Sequence, residues 1–256
     1  MRALNVRNLC KTYINNKRQI NVLRNVDLEI EEGEMVGIMG PSGSGKTTLL
    51  YTVSGMDSAT AGSVEFFGRN MSGLTAGEMS DLRLTEMGFV FQQMYMLKNL
   101  SIYDNIILPA RQSPEGRSRE GRERINDRAK VLMHKLGISE IAGNDINEVS
   151  GGQLQRACIC RSLINCPKII FADEPTGSLN KQNSIEVMEE LNHIHAEGTS
   201  ILLVTHDMKV ASRCSRVLYI EDGNIRDEIA LGGWKETEDP RQRERVLNDW
   251  LIKLGW

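Results

Sequence analysis

The sequence has no long apolar stretch. No segment reaches the roughly 18 consecutive apolar residues of a membrane-spanning helix, so we expect that the chain does not cross a membrane by itself. The amino-terminal residues, Met1 to Arg7, also lack the apolar core of a secretory signal. With 256 residues the chain can bury a substantial core. This length is long for one domain and short for two, which favours a single domain with a subdomain.

Cysteine is also scarce, and basic residues do not exceed acidic ones. The five cysteines show no Cys-x-x-Cys spacing and no paired framework, which is typical of reduced thiols in a cytosolic protein. Cys158 and Cys160 could form a metal-binding pair, but residues two apart on a predicted helix point to different faces. The net charge of -3 and the pI of about 5.9 argue against a domain whose main role is to bind nucleic acid.

A glycine-rich loop separates a predicted buried strand at residues 35–39 from a predicted helix at 48–53. It has the pattern of Gly, four free positions and then Gly-Lys-Thr. Glycines let backbone N–H groups converge on an anion, and the helix amino terminus adds partial positive charge. The pattern predicts a phosphate loop in which Lys46 reaches the β- and γ-phosphates and Thr47 holds Mg²⁺. The predicted ATP-binding residues here are Gly40, Pro41, Ser42, Gly43, Ser44, Gly45, Lys46, Thr47 and Thr48.

An acidic pair marks a second candidate position. Asp173 closes an apolar segment, and Glu174 follows it directly. Phosphate sites form at the carboxyl ends of parallel strands, so Asp173 can bind Mg²⁺ directly or through water. Glu174 can then polarise a water molecule for attack on a γ-phosphate. Taken alone, the pair could equally be an ordinary acidic strand end.

A second glycine-rich element precedes another predicted helix. It consists of Ser150, Gly151, Gly152 and Gln153. A serine and two glycines before a helix again predict an anion-binding cradle. Since one triphosphate does not need two cradles, the element is best explained if it serves the nucleotide of a neighbouring copy.

The alternation of apolar segments predicts an α/β fold. Strands are expected at residues 4–9, 21–30, 35–39, 63–68, 88–91, 168–173, 200–205 and 217–220. Helices are expected at residues 74–85, 125–136, 181–197 and 209–213. Turn chemistry predicts hairpins at 17–19 and at Asp222-Gly223. Residues 93–164 show no convincing strand, and we interpret them as a helical subdomain inserted into the α/β core.

Two stretches leave alternatives open. Residues 111–124 are dense in charge, which is typical of a solvated face or a flexible link. Residues 241–256 carry apolar side chains at helical spacing. This spacing favours packing onto the protein's own body over contact with a partner or a membrane surface.

With these motifs in this order, residues 1–230 resemble the ATPase subunits of ABC transporters. The phosphate loop is similar to the family's Walker A motif, and Asp173 and Glu174 match Walker B with its catalytic glutamate. Residues 149–153 are similar to the signature sequence, with Val149 where leucine is usual. The remaining matches are Tyr13 at the adenine-stacking aromatic position, Gln92 of the Q-loop, Asn180 of the D-loop, where aspartate is more usual, and the switch histidine His206.

The resemblance implies a P-loop NTPase core with an amino-terminal antiparallel β subdomain and a helical subdomain at about 93–164. All of these would form one ABC ATPase domain of residues 1–256, with 231–256 as a carboxyl-terminal extension. It also implies ATP hydrolysis with Mg²⁺ in a head-to-tail dimer, each ATP lying between one copy's phosphate loop and the other's residues 150–153. The implied catalytic residues are Lys46, Gln92, Glu174 and His206. The implied metal-binding residues are Thr47, Gln92 and Asp173.

The implied partners are a second copy and a multi-span membrane permease, with no nucleic acid. The protein would then lie at the cytoplasmic face of the membrane, with residues 94–100 in the docking surface. Segments 89–92 and 172–177 and the Leu179-Asn180 ending of the D-loop resemble the branch that serves macrolide export, lipoprotein release and antimicrobial-peptide export. Residues 250–256 resemble a tail of the peptide-resistance group. Relatives of the fold in cell division leave one alternative open, an ATP-dependent interaction switch without transport.

Overall fold

The computed structural model of the protein describes residues 1–15, 18–235 and 237–256, and it forms two compact units. The first unit comprises Met1–Thr75 and Ile194–Trp256, and the second comprises Ala76–His193. The strands are β1 (Arg2–Asn15), β2 (Arg18–Glu31), β3 (Met35–Met39), β4 (Ala61–Phe66), β5 (Arg69–Asn70), β6 (Met87–Phe91), β7 (Ile169–Asp173), β8 (Ser200–Val204), β9 (Arg216–Glu221) and β10 (Asn224–Ala230). The α-helices are α1 (Lys46–Val53), α2 (Ala76–Glu86), α3 (Ile102–Gln112), α4 (Arg119–Lys135), α5 (Gly151–Leu163), α6 (Lys181–Ala196), α7 (Met208–Ala211) and α8 (Pro240–Lys253).

An antiparallel sheet of order β2-β1-β4-β5 forms one part of the first unit. β1 and β2 pair from Arg2 opposite Glu31 to Asn15 opposite Arg18, so both strands are longer than predicted. The added residues of β2 are exposed, and they therefore carry no apolar alternation that a sequence pattern could detect. Lys17 of the predicted hairpin turn lies outside the described residues, whereas Arg18 and Gln19 belong to β2.

Parallel strands form the other part of the first unit. β3 pairs in parallel with β8 on one side and with β9 on the other. Every residue of β3 and β8 is buried, as is typical of parallel strands. β10 returns antiparallel to β9 through Asp222 and Gly223, which both have positive φ, so the predicted hairpin is confirmed. The parallel pairing brings the segments that follow β3 and β8 to the same edge of the sheet.

The second unit combines a parallel strand pair with helices. β6 and β7 pair from Met87 opposite Ile169 to Phe91 opposite Asp173. Between them, the described chain contains α3, α4, α5 and short 3-10 turns but no strand, as the sequence led us to expect. The bounds of a helical subdomain at 93–164 stay a prediction. Within the described ranges, no helix is both long and apolar enough to cross a membrane.

Most of the charged segment 111–124 is helical, so the flexible-link alternative is wrong. α4 begins at Arg119, earlier than predicted, because Ser118 caps its first turn. Glu115 accepts a hydrogen bond from Arg128 at 2.6 Å, and this bond lowers the pKa of the Glu115 carboxyl. These local contacts let a strongly charged sequence form a helix with a solvated outer face.

Helix α8 packs onto the first unit, as the apolar spacing of residues 241–256 predicts. Leu247 and Leu251 are fully buried, and the Trp250 ring meets the Tyr219 ring edge to face at 6.3 Å between centroids. The Arg243 guanidinium is also buried. Its acceptors at 2.8–3.2 Å are the backbone carbonyls of Ser212, Cys214, Leu231 and Gly232 and the Glu238 carboxylate.

Candidate functional site

The phosphate loop joins β3 to α1 in a backbone conformation that requires glycine. Gly43 has φ 79° and Gly45 has φ 103°, which side chains other than glycine rarely adopt. A Cβ on Gly40 would lie 2.0 Å from the carbonyl oxygen of Ile220, so no larger residue fits there. Gly45 is the N-cap of α1 and supplies no side-chain cap, so the first N–H groups of α1 point toward the loop.

Lys46 and Ser44 complete this cradle. The Lys46 ammonium donates to the carbonyl oxygens of Gly40 and Pro41, each at 2.8 Å, and so spans the loop. The Ser44 hydroxyl is buried beside Gly40 without a hydrogen-bond partner among the described residues. A buried hydroxyl that lacks a partner costs about 1–3 kcal/mol, and a phosphate oxygen is a suitable acceptor for it. The cradle, the cation and the unsatisfied hydroxyl therefore fit a phosphate group.

His206 lies at the same sheet edge as the phosphate loop. It follows β8 and is exposed. The Thr205 N–H donates to the Ile38 carbonyl at 3.1 Å, and the Thr205 hydroxyl accepts from the Asp207 N–H at 3.0 Å. Asp207 in turn caps α7. These bonds fix the backbone on both sides of His206 beside the segment that β3 leads into.

Tyr13 lies on β1 in the first unit and keeps 40% of its surface exposed. Its hydroxyl donates to Oδ2 of Asp57 at 2.6 Å. Burial raises the pKa of Tyr13, the hydrogen bond to Asp57 and the Asp57 charge add to this increase, and a hydrogen bond with Thr48 opposes it. The first unit therefore brings together the predicted residues Tyr13, 40–48 and His206.

The second unit brings Gln92 together with the acidic pair. Asp173, which is 9% exposed, is paired with the residue that precedes Gln92. A Cβ on Gly177 would lie 3.0 Å from Nε2 of Gln92 and 3.3 Å from Cβ of Glu174, so both side chains pack over this glycine. Glu174 has φ 48°, a conformation that costs energy for a residue other than glycine. Backbone strain of this kind is concentrated at functional sites.

The element at 150–153 forms the first turn of α5. Ser150 and Gln153 make a capping box, in which Oγ of Ser150 accepts from the Gln153 N–H and Oε1 of Gln153 accepts from the Ser150 N–H. A Cβ on Gly152 would lie 2.6 Å from Cγ of Asn183, so this glycine allows α5 and α6 to approach closely. Gly151, in contrast, is exposed.

Asn180 departs from the usual aspartate but makes the contact that an aspartate would make. Its Oδ1 accepts from the Asn183 N–H at 2.9 Å and so caps α6.

Sequence reasoning missed Gln155, which is 1% exposed and donates from Nε2 to the Pro175 carbonyl at 2.7 Å. The available signal was a glutamine among the mostly apolar buried residues of α5.

The comparisons with known proteins agree with this geometry. Residues 23–177 match the ABC transporter family, so the chain belongs to that family. It is 41% identical over 220 residues to the macrolide export ATP-binding/permease protein MacB of Rhodopseudomonas palustris strain BisB18, covering 86% of this chain and 33% of that protein. It is 43% identical over 222 residues to MacB of Agrobacterium fabrum strain C58, and this match covers 87% of this chain and 34% of that protein. The chain thus spans about a third of the length of these curated relatives.

The solved structures that share its fold include two of the ATP-binding cassette MJ0796. One is a dimeric post-hydrolysis state of the ATP-binding cassette MJ0796 bound to ADP and Pi, with 36% identity and a TM-score of 0.83. The other is a dimeric structure of MJ0796, a bacterial ABC transporter cassette, with 37% identity and a TM-score of 0.83. Each match covers 90% of this chain and all of the solved chain. The fold is therefore that of an ABC ATPase, as the motifs predicted.

Proposed function

We propose that the protein hydrolyses ATP as a head-to-tail dimer and drives a separate membrane permease. The observation that carries this proposal is that one chain holds two different glycine-containing helix starts, the phosphate loop before α1 and residues 150–153 at the start of α5. We propose that residues 150–153 serve the nucleotide of a second copy, so that each copy completes the nucleotide site of the other. The dimeric MJ0796 cassette bound to ADP and Pi supports this arrangement.

The proposed roles follow from the chemistry of each side chain. The loop amides and Lys46 hold the phosphates, and Tyr13 stacks on the adenine. Glu174 orients the attacking water, and His206 contacts the γ-phosphate and senses its loss. Such catalysis consists mainly of positioning and charge stabilisation.

Mg²⁺ would neutralise charge on the β- and γ-phosphates when bound. We propose Thr47, Asp173 and Gln92 as the side chains that hold it, directly or through water. The described residues contain no group of three or more His, Cys, Asp or Glu side chains that could hold a metal ion. A Mg²⁺ ion bound to a triphosphate needs only one or two protein carboxylates. Asp173 supplies one carboxylate, so the chemistry of the proposed ligands fits.

Residues 94–100 are the proposed docking surface for the permease. Tyr95 is 63% exposed and Leu97 is 49% exposed. Side chains of neighbouring helices fix the backbone of both residues. Asn105 of α3 bonds to both the N–H and the carbonyl of Leu97, and Arg161 of α5 donates to the Tyr95 carbonyl. Apolar side chains on a fixed backbone suit a protein contact. Docking there would hold the protein at the cytoplasmic face of a membrane.

We propose export of a drug or peptide as the transport that this ATPase drives. The curated relatives carry the name macrolide export ATP-binding/permease protein, which favours export over the cell-division alternative. Because this chain spans only about a third of those proteins, the permease must be supplied by other sequence.

Substitution of Glu174 tests the hydrolysis and dimer proposal. In Glu174→Gln we expect turnover to fall by at least about 100-fold while ATP, but not ADP, yields a stable dimer on size exclusion. Glu189→Gln, an exposed carboxylate on α6, is the matched control and should hydrolyse ATP normally. Normal hydrolysis in Glu174→Gln would remove Glu174 from the proposed role.

The docking surface is tested by adding charge to it. In membranes that contain the permease, Leu97→Glu should abolish transport and leave the basal ATPase of the isolated protein unchanged. Val131→Glu is the control, because it adds the same charge at a 66% exposed apolar residue on α4. It should change neither transport nor the basal ATPase. Retained transport in Leu97→Glu would show that the permease docks elsewhere.

A further inference from the structure

A buried lysine lies behind the proposed adenine-stacking tyrosine. The Lys11 side chain is only 8% exposed, and its ammonium donates to Oδ1 of Asp57 and to the Ser58 carbonyl, each at 2.6 Å. A lysine is rarely buried unless its charge is paired. Burial acts to raise the pKa of Asp57, but hydrogen bonds from Lys11 and Tyr13 and the Lys11 charge outweigh it and lower that pKa.

The same two charged groups hold the Tyr13 ring. The Lys11 ammonium stands 4.8 Å from the ring centroid, over one face. The Tyr13 hydroxyl donates to Oδ2 of Asp57 at 2.6 Å. The ring is thus fixed at one face by a cation and at its hydroxyl by a carboxylate. With 40% of Tyr13 exposed, the opposite face is where a planar base can stack.

Asp57 also connects the ring to the phosphate loop. The N–H groups of Met56 and Asp57 donate to the Tyr51 carbonyl of α1 at 2.9 and 3.0 Å. Helix α1 begins at Lys46, within the phosphate loop. A carboxylate at the end of this helix therefore holds the aromatic ring, while the start of the helix forms the phosphate cradle.

We propose that Asp57 and Lys11 are positioning residues that orient Tyr13 for stacking on the purine base at a set distance from the phosphate loop. This proposal rests on the proposed function, because it requires the phosphate loop to bind a nucleotide. Neither residue needs to touch the base. A ring that is already held loses less conformational freedom on binding, which is worth about 3- to 10-fold in affinity for one side chain.

Two probes that the proposed ATPase reaction does not consume distinguish binding of the base from binding of the phosphates. We would measure binding of ADP and of inorganic pyrophosphate, both with Mg²⁺, to the full chain by calorimetry. Tyr13→Phe, Asp57→Asn and Lys11→Met should each weaken ADP by about 3- to 10-fold and leave pyrophosphate within about twofold. Tyr103→Phe is the matched control, because it removes a tyrosine hydroxyl that is bonded to Asn126 in the second unit. It should change neither affinity.

A double substitution tests whether Tyr13 and Asp57 act through the hydrogen bond between them. Tyr13→Phe already removes the hydrogen bond to Asp57, so Tyr13→Phe with Asp57→Asn should weaken ADP much less than the product of the two single effects. Unchanged ADP affinity in Tyr13→Phe and Asp57→Asn would overturn the proposal. An equal loss of pyrophosphate affinity would also overturn it, because it would show an effect on the fold or the phosphate loop.

Different binding results would show that the proposed function itself is wrong. In that case the unsubstituted protein would bind neither probe, or Lys46→Ala would leave both affinities unchanged. If Asp57→Asn does not fold, Tyr13→Phe still carries the test, since it keeps the exposed ring and removes one hydroxyl.

Discussion

Gly177 lies directly against the side chain of Gln92. A methyl group on Gly177 would stand 3.0 Å from Nε2 of Gln92 and 3.3 Å from Cβ of Glu174. Real Cβ contacts are rarely so close. The side chains of Gln92 and Glu174 can therefore keep these positions only while residue 177 has no side chain. A glycine three residues after the proposed catalytic glutamate thus determines where that glutamate and Gln92 lie.

Gly177→Ala should therefore reduce catalysis without preventing folding. The Gln92 amide is the end of a flexible side chain and can move aside, so we expect the free energy of unfolding to change by less than about 1 kcal/mol. We expect kcat to fall by about 10-fold, because the displaced groups no longer hold their positions. Steady-state kinetics and urea unfolding measure the two effects. Gly143→Ala, where a Cβ meets nothing within 4 Å, is the control, and an equal kcat in both variants would contradict the expectation.

Asn180 should be replaceable by aspartate but not by alanine. Its Oδ1 caps α6 through the Asn183 N–H, and an aspartate oxygen can accept the same bond. Asn180→Asp should leave the free energy of unfolding nearly unchanged, whereas Asn180→Ala should lower it by about 1 kcal/mol. Urea denaturation with a common slope decides this. Equal stability of the alanine and aspartate variants would show that the cap contributes little.

The thiols should divide into a reactive and an unreactive class. Burial raises the pKa of Cys158 to about 11 and that of Cys160 and Cys214 to about 12, whereas Cys166 is exposed and Cys10 is half-buried. The thiolate is the reactive form, and at pH 8 it is about 0.1% or less of a thiol with a pKa of 11 or higher.

With a colorimetric disulfide reagent at pH 8, we expect one rapid reaction that Cys166→Ser removes, and three thiols that react only after unfolding. Because these three folded-state pKa values are raised, the neutral thiols stabilise the fold at low pH. This contribution disappears as the pH rises from about 9 through 11 to 12. Rapid reaction of three or more thiols in the folded protein would contradict the burial described here.

Arg243 should be essential for stability, unlike its neighbour Arg245. Arg243→Ala removes the donor from the buried carbonyls of Ser212 and Cys214 and from the part-buried carbonyls of Leu231 and Gly232, so we expect a loss of about 3 kcal/mol or more in the free energy of unfolding. Arg245 is exposed on the same helix, and Arg245→Ala should change stability by less than about 0.5 kcal/mol. Similar unfolding curves for the two variants would show that α8 is not anchored by Arg243.

Several features depend on contacts that no local pattern reveals. Gln155 and Asp57 were missed because their partners lie 20 or more residues away in the chain, Pro175 for the first and Lys11 and Tyr13 for the second. The early start of α4 was missed because charge density alone resembles a link. The full lengths of β1 and β2 were missed because their exposed parts pair through the backbone, which carries no side-chain signature.

The sequence by itself determined the ABC family, the strand–loop–helix at residues 35–53, the acidic end of β7 and the glycine-rich start of α5. Each of these is a short-range arrangement, in which glycine conformation, helix-terminal N–H groups and strand burial are encoded by adjacent residues. Only the tertiary structure decided that Gln92 and Glu174 pack over Gly177 and that Lys11 and Asp57 hold Tyr13. These arrangements join residues that are far apart in the chain, and long-range packing alone brings such side chains together.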